Sequence, residues 1–173
     1  MLTKENYMIP LFEGELNQIK DFIEIALNVT FFHRLLSEKE FEDVTSELSG
    51  ISYVKVKNGN VNKLIKNTIS QIENNFGKIN KQKIILNFYS EKIDNNNLFE
   101  SWNFLLILNK EKKENNKEQI ENKMRKYIFK IIENLNGNST NYTENISDNK
   151  IVYNIDINKD LSEEDYLGFC SQI

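Results

Sequence analysis

The sequence predicts an α+β domain in which three helices pack on a mainly antiparallel sheet, and three observations lead to it. Apolar residues recur at intervals of three and four in three separate segments, as in helices with one buried face. Shorter runs with period-two alternation lie between and after them, as in strands. Asn- and Gly-containing stretches punctuate the boundaries. At 173 residues the chain has single-domain length, enough to bury roughly 70% of the surface its unfolded form exposes. It shows no internal repeat and no linker, so residues 1–173 are read as one domain.

The first helix runs from Glu15 to about Arg34. Leu16, Ile19, Ile23, Ala26, Leu27 and Thr30 follow helical spacing, while Phe22 and Val29 widen the stripe, which predicts a central helix buried on more than one side. Ile51 to Lys57 then alternates as a strand. Asn58-Gly59-Asn60 supplies a turn and a helix cap before Val61, Leu64, Ile65, Ile69, Ile72 and Phe76 define the second helix. Gly77 stands where a left-handed C-terminal residue is expected. The third helix carries Ile120, Met124, Tyr127, Ile128, Ile131, Ile132 and Leu135 and ends at Gly137. Residues 138–149 are polar and read as an exposed loop. A last strand, Lys150 to Ile157, sets Ile151, Tyr153, Ile155 and Ile157 on one face, leaving 158–173 as a short tail.

Lys83 to Asn109 predicts a hairpin. Ile84, Leu86 and Phe88 share one face of its first strand, and Trp102, Phe104, Leu106 and Leu108 one face of its second. Leu105 and Ile107 make the other face of the second strand apolar too, so that strand is expected inside a sheet with helices or further chain on both sides. Ile93 to Leu98 is read as the connecting loop. The predicted core includes Ile23, Leu27, Trp102, Phe104, Ile128 and Ile132.

Composition excludes several classes of function. The net charge of −4 is spread over mixed-sign helices without a basic block, so a nucleic-acid partner is not expected. A single cysteine, Cys170, forms no internal disulfide. No apolar segment at the start has the length of a signal peptide or membrane span, so the chain is expected in the cytosol or nucleus, without direct membrane insertion. His33 is the only histidine and is expected to serve the last carbonyls of its helix rather than pair with Cys170. Asp156-Ile157-Asn158-Lys159-Asp160 imitates the start of a calcium loop, but Leu161 replaces its turn glycine and Leu167 its closing glutamate. There is no phosphate loop and no nucleophile elbow. No residues are assigned to catalysis, a cofactor or a metal; carboxylates brought together only by folding are the one enzymatic alternative.

The helix end TFFHRLL, the strand ISYVKV with its following helix, the strands KIILNFYSEK and ESWNFLLILN, and the helix KEQIENKMRKYIFKIIENLN together resemble a HORMA domain. The resemblance is to the HORMA-domain subunit of the autophagy-initiation kinase complex, the autophagy-related protein 101 family. It covers roughly residues 15–157, and its most specific pieces are Phe32-His33-Arg34, Tyr53-Val54-Lys55-Val56 and Phe99-Glu100-Ser101-Trp102. It implies a non-catalytic adaptor that pairs with and stabilises a second HORMA subunit, in the cytoplasm and at the phagophore assembly site. A homodimer stays open to the isolated chain. The resemblance also implies an exposed Trp-Phe finger between the hairpin strands, yet this sequence has Asp94-Asn95-Asn96-Asn97 there. Phe99 is therefore expected to open the strand rather than to form a finger. The rival within the fold is a peptide-closing adaptor of the spindle-checkpoint or DNA-repair type, for which the tail looks too short.

Phe129 falls opposite the apolar stripe of the third helix, among Lys123, Arg125, Lys126 and Lys130. An aromatic with no core to enter, ringed by cations, is the candidate partner-binding surface, suited to an acidic and partly apolar face. The bland alternative is that residues 138–149 cover it.

Overall fold

A computed structural model describes residues 4–35, 40–92, 95–110, 116–137, 150–158 and 161. Its elements, in chain order, are β1 (Glu5–Gly14), α1 (Leu16–Arg34), β2 (Phe41–Thr45), β3 (Ser52–Val56), α2 (Gly59–Phe76), β4 (Lys81–Lys92), β5 (Asn95–Leu108), α3 (Lys117–Gly137) and β6 (Lys150–Asn158). The fold is α+β as predicted, with a mainly antiparallel sheet in the order β1-β5-β4-β6 and a small β2–β3 hairpin beside it. The expected loop 138–149, Cys170 and most of the tail from 158 onward lie outside the described residues.

Two strands go beyond the sequence reading. β1 pairs in parallel with the central strand β5, and its ladder shifts between Ile9 and Phe12. Pro10 has no N–H to give to a ladder, so it is tolerated at an irregularity of an edge strand, where it also breaks the alternation that would mark β1 in sequence. β2 is five residues of largely exposed chain, Phe41-Glu42-Asp43-Val44-Thr45, with no buried apolar face to signal it. The β2–β3 turn requires Gly50, whose φ of 73° lies in the left-handed region.

α1 is the axis of the core. Ile19, Phe22, Ile23, Ala26, Leu27, Val29 and Thr30 are all buried, and the helix packs against α2, α3, β1, β3 and β5. The sheet face beneath it carries Ile84, Leu86, Phe88, Trp102, Phe104 and Leu106, all buried, while Ile151, Tyr153, Ile155 and Ile157 of β6 extend that face at its margin. The opposite face of β5 is less apolar than expected. Leu105 is fully buried there, but Ser101 and Asn103 are buried polar residues. They are satisfied laterally: Ser101 donates to Asn87 (2.8 Å), and Asn103 donates to Asn6 (2.8 Å).

α2 is capped as its sequence predicts, with Asn58 Oδ1 accepting from the backbone N–H of Asn60 (2.9 Å) and Val61 (3.2 Å). Its other end differs from expectation. Gly77 is right-handed, at φ −65° and ψ −21°. The helix is instead fastened by the buried Gln82, which donates to the Ile72 carbonyl (2.9 Å) and accepts from Asn75 (3.0 Å). Side-chain acceptors and donors here take over the work that a left-handed glycine does elsewhere.

The expected Ile93–Leu98 loop is mostly strand. β4 and β5 stay paired out to Lys92↔Asn95, with a register shift that leaves Phe99 as the extra residue between Leu98 and Glu100. Residues 95–98 therefore belong to β5 rather than to a loop, because backbone pairing continues whatever the side chains are.

Two of the three most specific motifs of the sequence meet in the interior. Arg34, at the end of α1, donates through Nε to both carboxylate oxygens of Glu100 (2.8 and 3.0 Å), and Trp102 Nε1 donates to the same carboxylate. Arg34 and Glu100 are each only 3% exposed. The Trp102 ring stacks on Tyr7 of β1 at 4.3 Å. A buried charge needs its counter-charge and further hydrogen bonds to be tolerated, so this cluster fixes the end of α1 over the opening of β5.

Candidate partner-binding surface

α3 begins with a reciprocal cap. Asn116 Oδ1 accepts from the Gln119 N–H (2.9 Å) while Gln119 Oε1 accepts from the Asn116 N–H (3.2 Å). Ile120, Met124, Ile128, Ile131 and Leu135 are its buried residues. Of the core residues expected from sequence, Ile23, Leu27, Trp102, Phe104 and Ile128 are buried, whereas Ile132 is only partly buried at the margin of the cluster. Helical geometry explains the difference: Ile131 and Leu135 lie on the buried face of α3, and Ile132 lies about 100° around the axis from Ile131.

The helix is held over β1 by Tyr127. Its hydroxyl donates to the Leu11 carbonyl (2.7 Å), within the shifted part of the β1 ladder. Its ring meets Phe12 and Phe22 edge-on at 5.1 and 5.5 Å. Burial, and secondarily Glu13, raises the Tyr127 pKa above the usual phenol value. Lys123 belongs to the same anchorage: its ammonium lies 4.5 Å from the Phe12 ring centroid and donates to the Glu13 carbonyl.

With the inward face fixed, Phe129 is 66% exposed, and together with Phe41 it forms the pair of large exposed hydrophobics among the described residues. The cations expected around it divide into two groups. Lys123 is directed to β1. Arg125 donates to Glu121 (2.9 Å) and Lys130 to Glu133 (3.0 Å), both exposed pairs on the same helix. Lys126 is exposed and makes no ion pair among the described residues. The surroundings of Phe129 are thus mixed in charge rather than a cation ring. Exposed pairs of this kind contribute little to stability and exchange readily for a partner's carboxylates. Sequence spacing located Phe129 but not the glutamates that answer its neighbours.

Phe41, the other exposed aromatic, leans edge-on against Phe32 at 5.0 Å. His33 donates through Nδ1 to the Val29 carbonyl (2.8 Å), one turn back within α1 rather than to the last carbonyls expected. Phe99 is buried and Leu98 half-buried, so Phe99 builds the sheet instead of standing out as a finger. No group of His, Cys, Asp and Glu suited to a metal ion occurs among the described residues. Asp156, in the calcium-loop imitation, lies in β6 and accepts from Asn87 (3.2 Å). No described helix is long and apolar enough to cross a membrane.

A family model described as Autophagy-related protein 101 matches residues 12–143. A search of curated proteins finds no match.

Proposed function

The chain belongs to the autophagy-related protein 101 family, and from that premise we propose that it is a non-catalytic adaptor of the autophagy-initiation kinase complex. In this reading it pairs with and stabilises a second HORMA-domain subunit, in the cytoplasm and at the phagophore assembly site. The exposure of Phe129 on a helix whose opposite face is pinned to β1 carries the reading. A rigidly presented aromatic is a low-entropy anchor for a partner pocket, and hot spots of binding are commonly of this kind.

Arg125, Lys126 and Lys130 form the polar rim, with Glu121 and Glu133 giving up their ion pairs as a partner's acidic groups arrive. Lys123 acts from behind, holding α3 against Phe12. Phe129→Glu is expected to weaken binding of the second HORMA domain by about 2 kcal/mol or more, roughly 30-fold in Kd, with little change in thermal stability. Calorimetry on the purified pair measures it. Equal binding by the wild type and Phe129→Glu removes this face from the interface, and co-purification from source cells that yields no HORMA-domain protein refutes the pairing itself.

A further inference from the structure

β2 forms an open edge of the β2–β3 hairpin, since its ladder among the described residues is to β3 alone. The hydrogen bonds flanking that ladder fix which backbone groups face outward. Ser46 donates its N–H to the Ile51 carbonyl and Lys57 its N–H to the Glu40 carbonyl, both at 2.9 Å. In an antiparallel pair hydrogen-bonded positions alternate with the others, so Glu42 and Val44 are bonded to β3 while Phe41, Asp43 and Thr45 turn their N–H and C=O groups to the open side. All three of these residues are exposed. Phe41, 39% exposed, leans on the half-buried Phe32 of α1 at 5.0 Å, which makes an apolar ledge at one end of the edge. The edge is also acidic. Glu42 and Asp43 project to opposite faces of β2, and both are exposed, as is Glu40 before them. Lys55 lies opposite Glu42 in the ladder, but its ammonium stands 3.7 Å from Glu24, and Lys57 lies across from Glu40. Glu42 and Asp43 make no ion pair among the described residues.

We propose that the free edge of β2 binds an extended, basic segment of a partner protein, which joins the hairpin as a third strand. Such a strand supplies the backbone donors and acceptors that Phe41, Asp43 and Thr45 leave open. It sets lysine or arginine against Glu42 on one face and against Asp43 on the other, and an apolar side chain against Phe41 and Phe32. Running antiparallel to β2, the recognised sequence is two adjacent basic residues followed by an apolar one. Charge decides between occupants. Short, charged edge strands resist pairing with their like: two β2 edges bring carboxylates together, so a second copy of this chain is repelled while a basic strand is drawn in. The field beside Tyr53 of β3 has the same sign, since burial first, then Glu24 and Asp21, with Glu42 as a lesser contributor, hold its phenol well above the usual pKa. The proposal uses the hairpin and the end of α1 and does not depend on the α3 surface or on the HORMA partner.

The test is a nuclear magnetic resonance titration of the full chain with the acetylated and amidated peptide Thr-Thr-Lys-Arg-Leu-Thr-Thr, and with its counterpart carrying glutamates in place of the two basic residues. In the free chain the amide hydrogens of Phe41, Asp43 and Thr45 should exchange quickly and those of Glu42 and Val44 slowly. The basic peptide should shift and protect the first set with saturation, and the acidic one should bind more weakly by about tenfold or more. Asp43→Pro removes an outward N–H that β3 does not use, a change an edge strand tolerates; it should abolish saturation while Glu42 and Val44 stay slow, which shows the hairpin intact. Asp43→Asn keeps that N–H, loses the charge and should weaken binding by only about two- to fivefold. Shifts that never saturate, equal binding of the acidic peptide, or full binding by Asp43→Pro overturns the proposal. Protection of the same amides that grows with protein concentration alone gives the edge to a second copy and overturns it as well.

Discussion

Removing the Glu100 carboxylate tests whether the Arg34–Glu100–Trp102 cluster holds the fold together. In Glu100→Ala the Arg34 guanidinium, 3% exposed, loses the counter-charge that accepts its Nε hydrogen bonds at 2.8 and 3.0 Å. Stranding one member of a buried pair costs about 3–5 kcal/mol. The Trp102 N–H loses the same acceptor, a buried donor worth about 1–3 kcal/mol. Both losses stem from one carboxylate and do not simply add, so the expected total is about 4 kcal/mol. Against the 5–15 kcal/mol that holds a typical domain, that is a large fraction. The melting temperature should fall by about 8–16 °C, taking 2–4 °C per kcal/mol for a domain of this size. Trp102 is the only tryptophan, so its fluorescence during urea unfolding reports from the cluster itself. The double variant Arg34→Met with Glu100→Leu removes the stranded charge along with its partner and should recover most of the loss. A cost for Glu100→Ala below about 1 kcal/mol, or a double variant no more stable than the single, refutes the reasoning.

Other substitutions probe the remaining elements. Trp102→Ala removes the stacking on Tyr7 and a fully buried ring; the expected cost is about 3–5 kcal/mol, read by circular dichroism, and an unchanged melting temperature contradicts the role given to this strand. Asn58→Ala strips the two backbone donors at the start of α2 of their acceptor and should cost about 1 kcal/mol, while Asn58→Asp or Ser keeps most of the stability in the same denaturation assay. Stability should also fall in alkali. Tyr53 and Tyr127 have folded pKa values raised above the ordinary 10.0, so above that pH the unfolded chain ionises while the folded one holds its protons, and stability declines as pH rises through 10.0 toward the folded values. Tyr53→Phe and Tyr127→Phe should flatten that slope; an undiminished slope in the double variant points to other groups.

The proposed partner surface was partly legible. Phe129 stood out because an aromatic opposite a helical stripe breaks a regular pattern, and the structure leaves it exposed. Its electrical surroundings were not legible. Counting only cations near it in the sequence missed that Arg125 and Lys130 reach Glu121 and Glu133 one helical turn away, and that Lys123 lies with Phe12 on β1.

Local periodicity determined the three helices, the Ser52–Val56 strand, the β4–β5 hairpin, β6 and most of the core, since a buried face must repeat with the pitch of its own element. The Asn58 cap was legible for the same reason: its two partners lie two and three residues away. Tertiary structure alone decided what distant segments share. β1 became a strand because β5 offered it a parallel ladder, despite Pro10 and a broken alternation. β2 exists by pairing with β3. The α2 terminus is set by Gln82 rather than by Gly77. Arg34 and Glu100 meet across 66 residues of chain, and a pairing of that span is chosen by the whole packed core, which alone fixes which buried charge and which buried N–H find the same carboxylate.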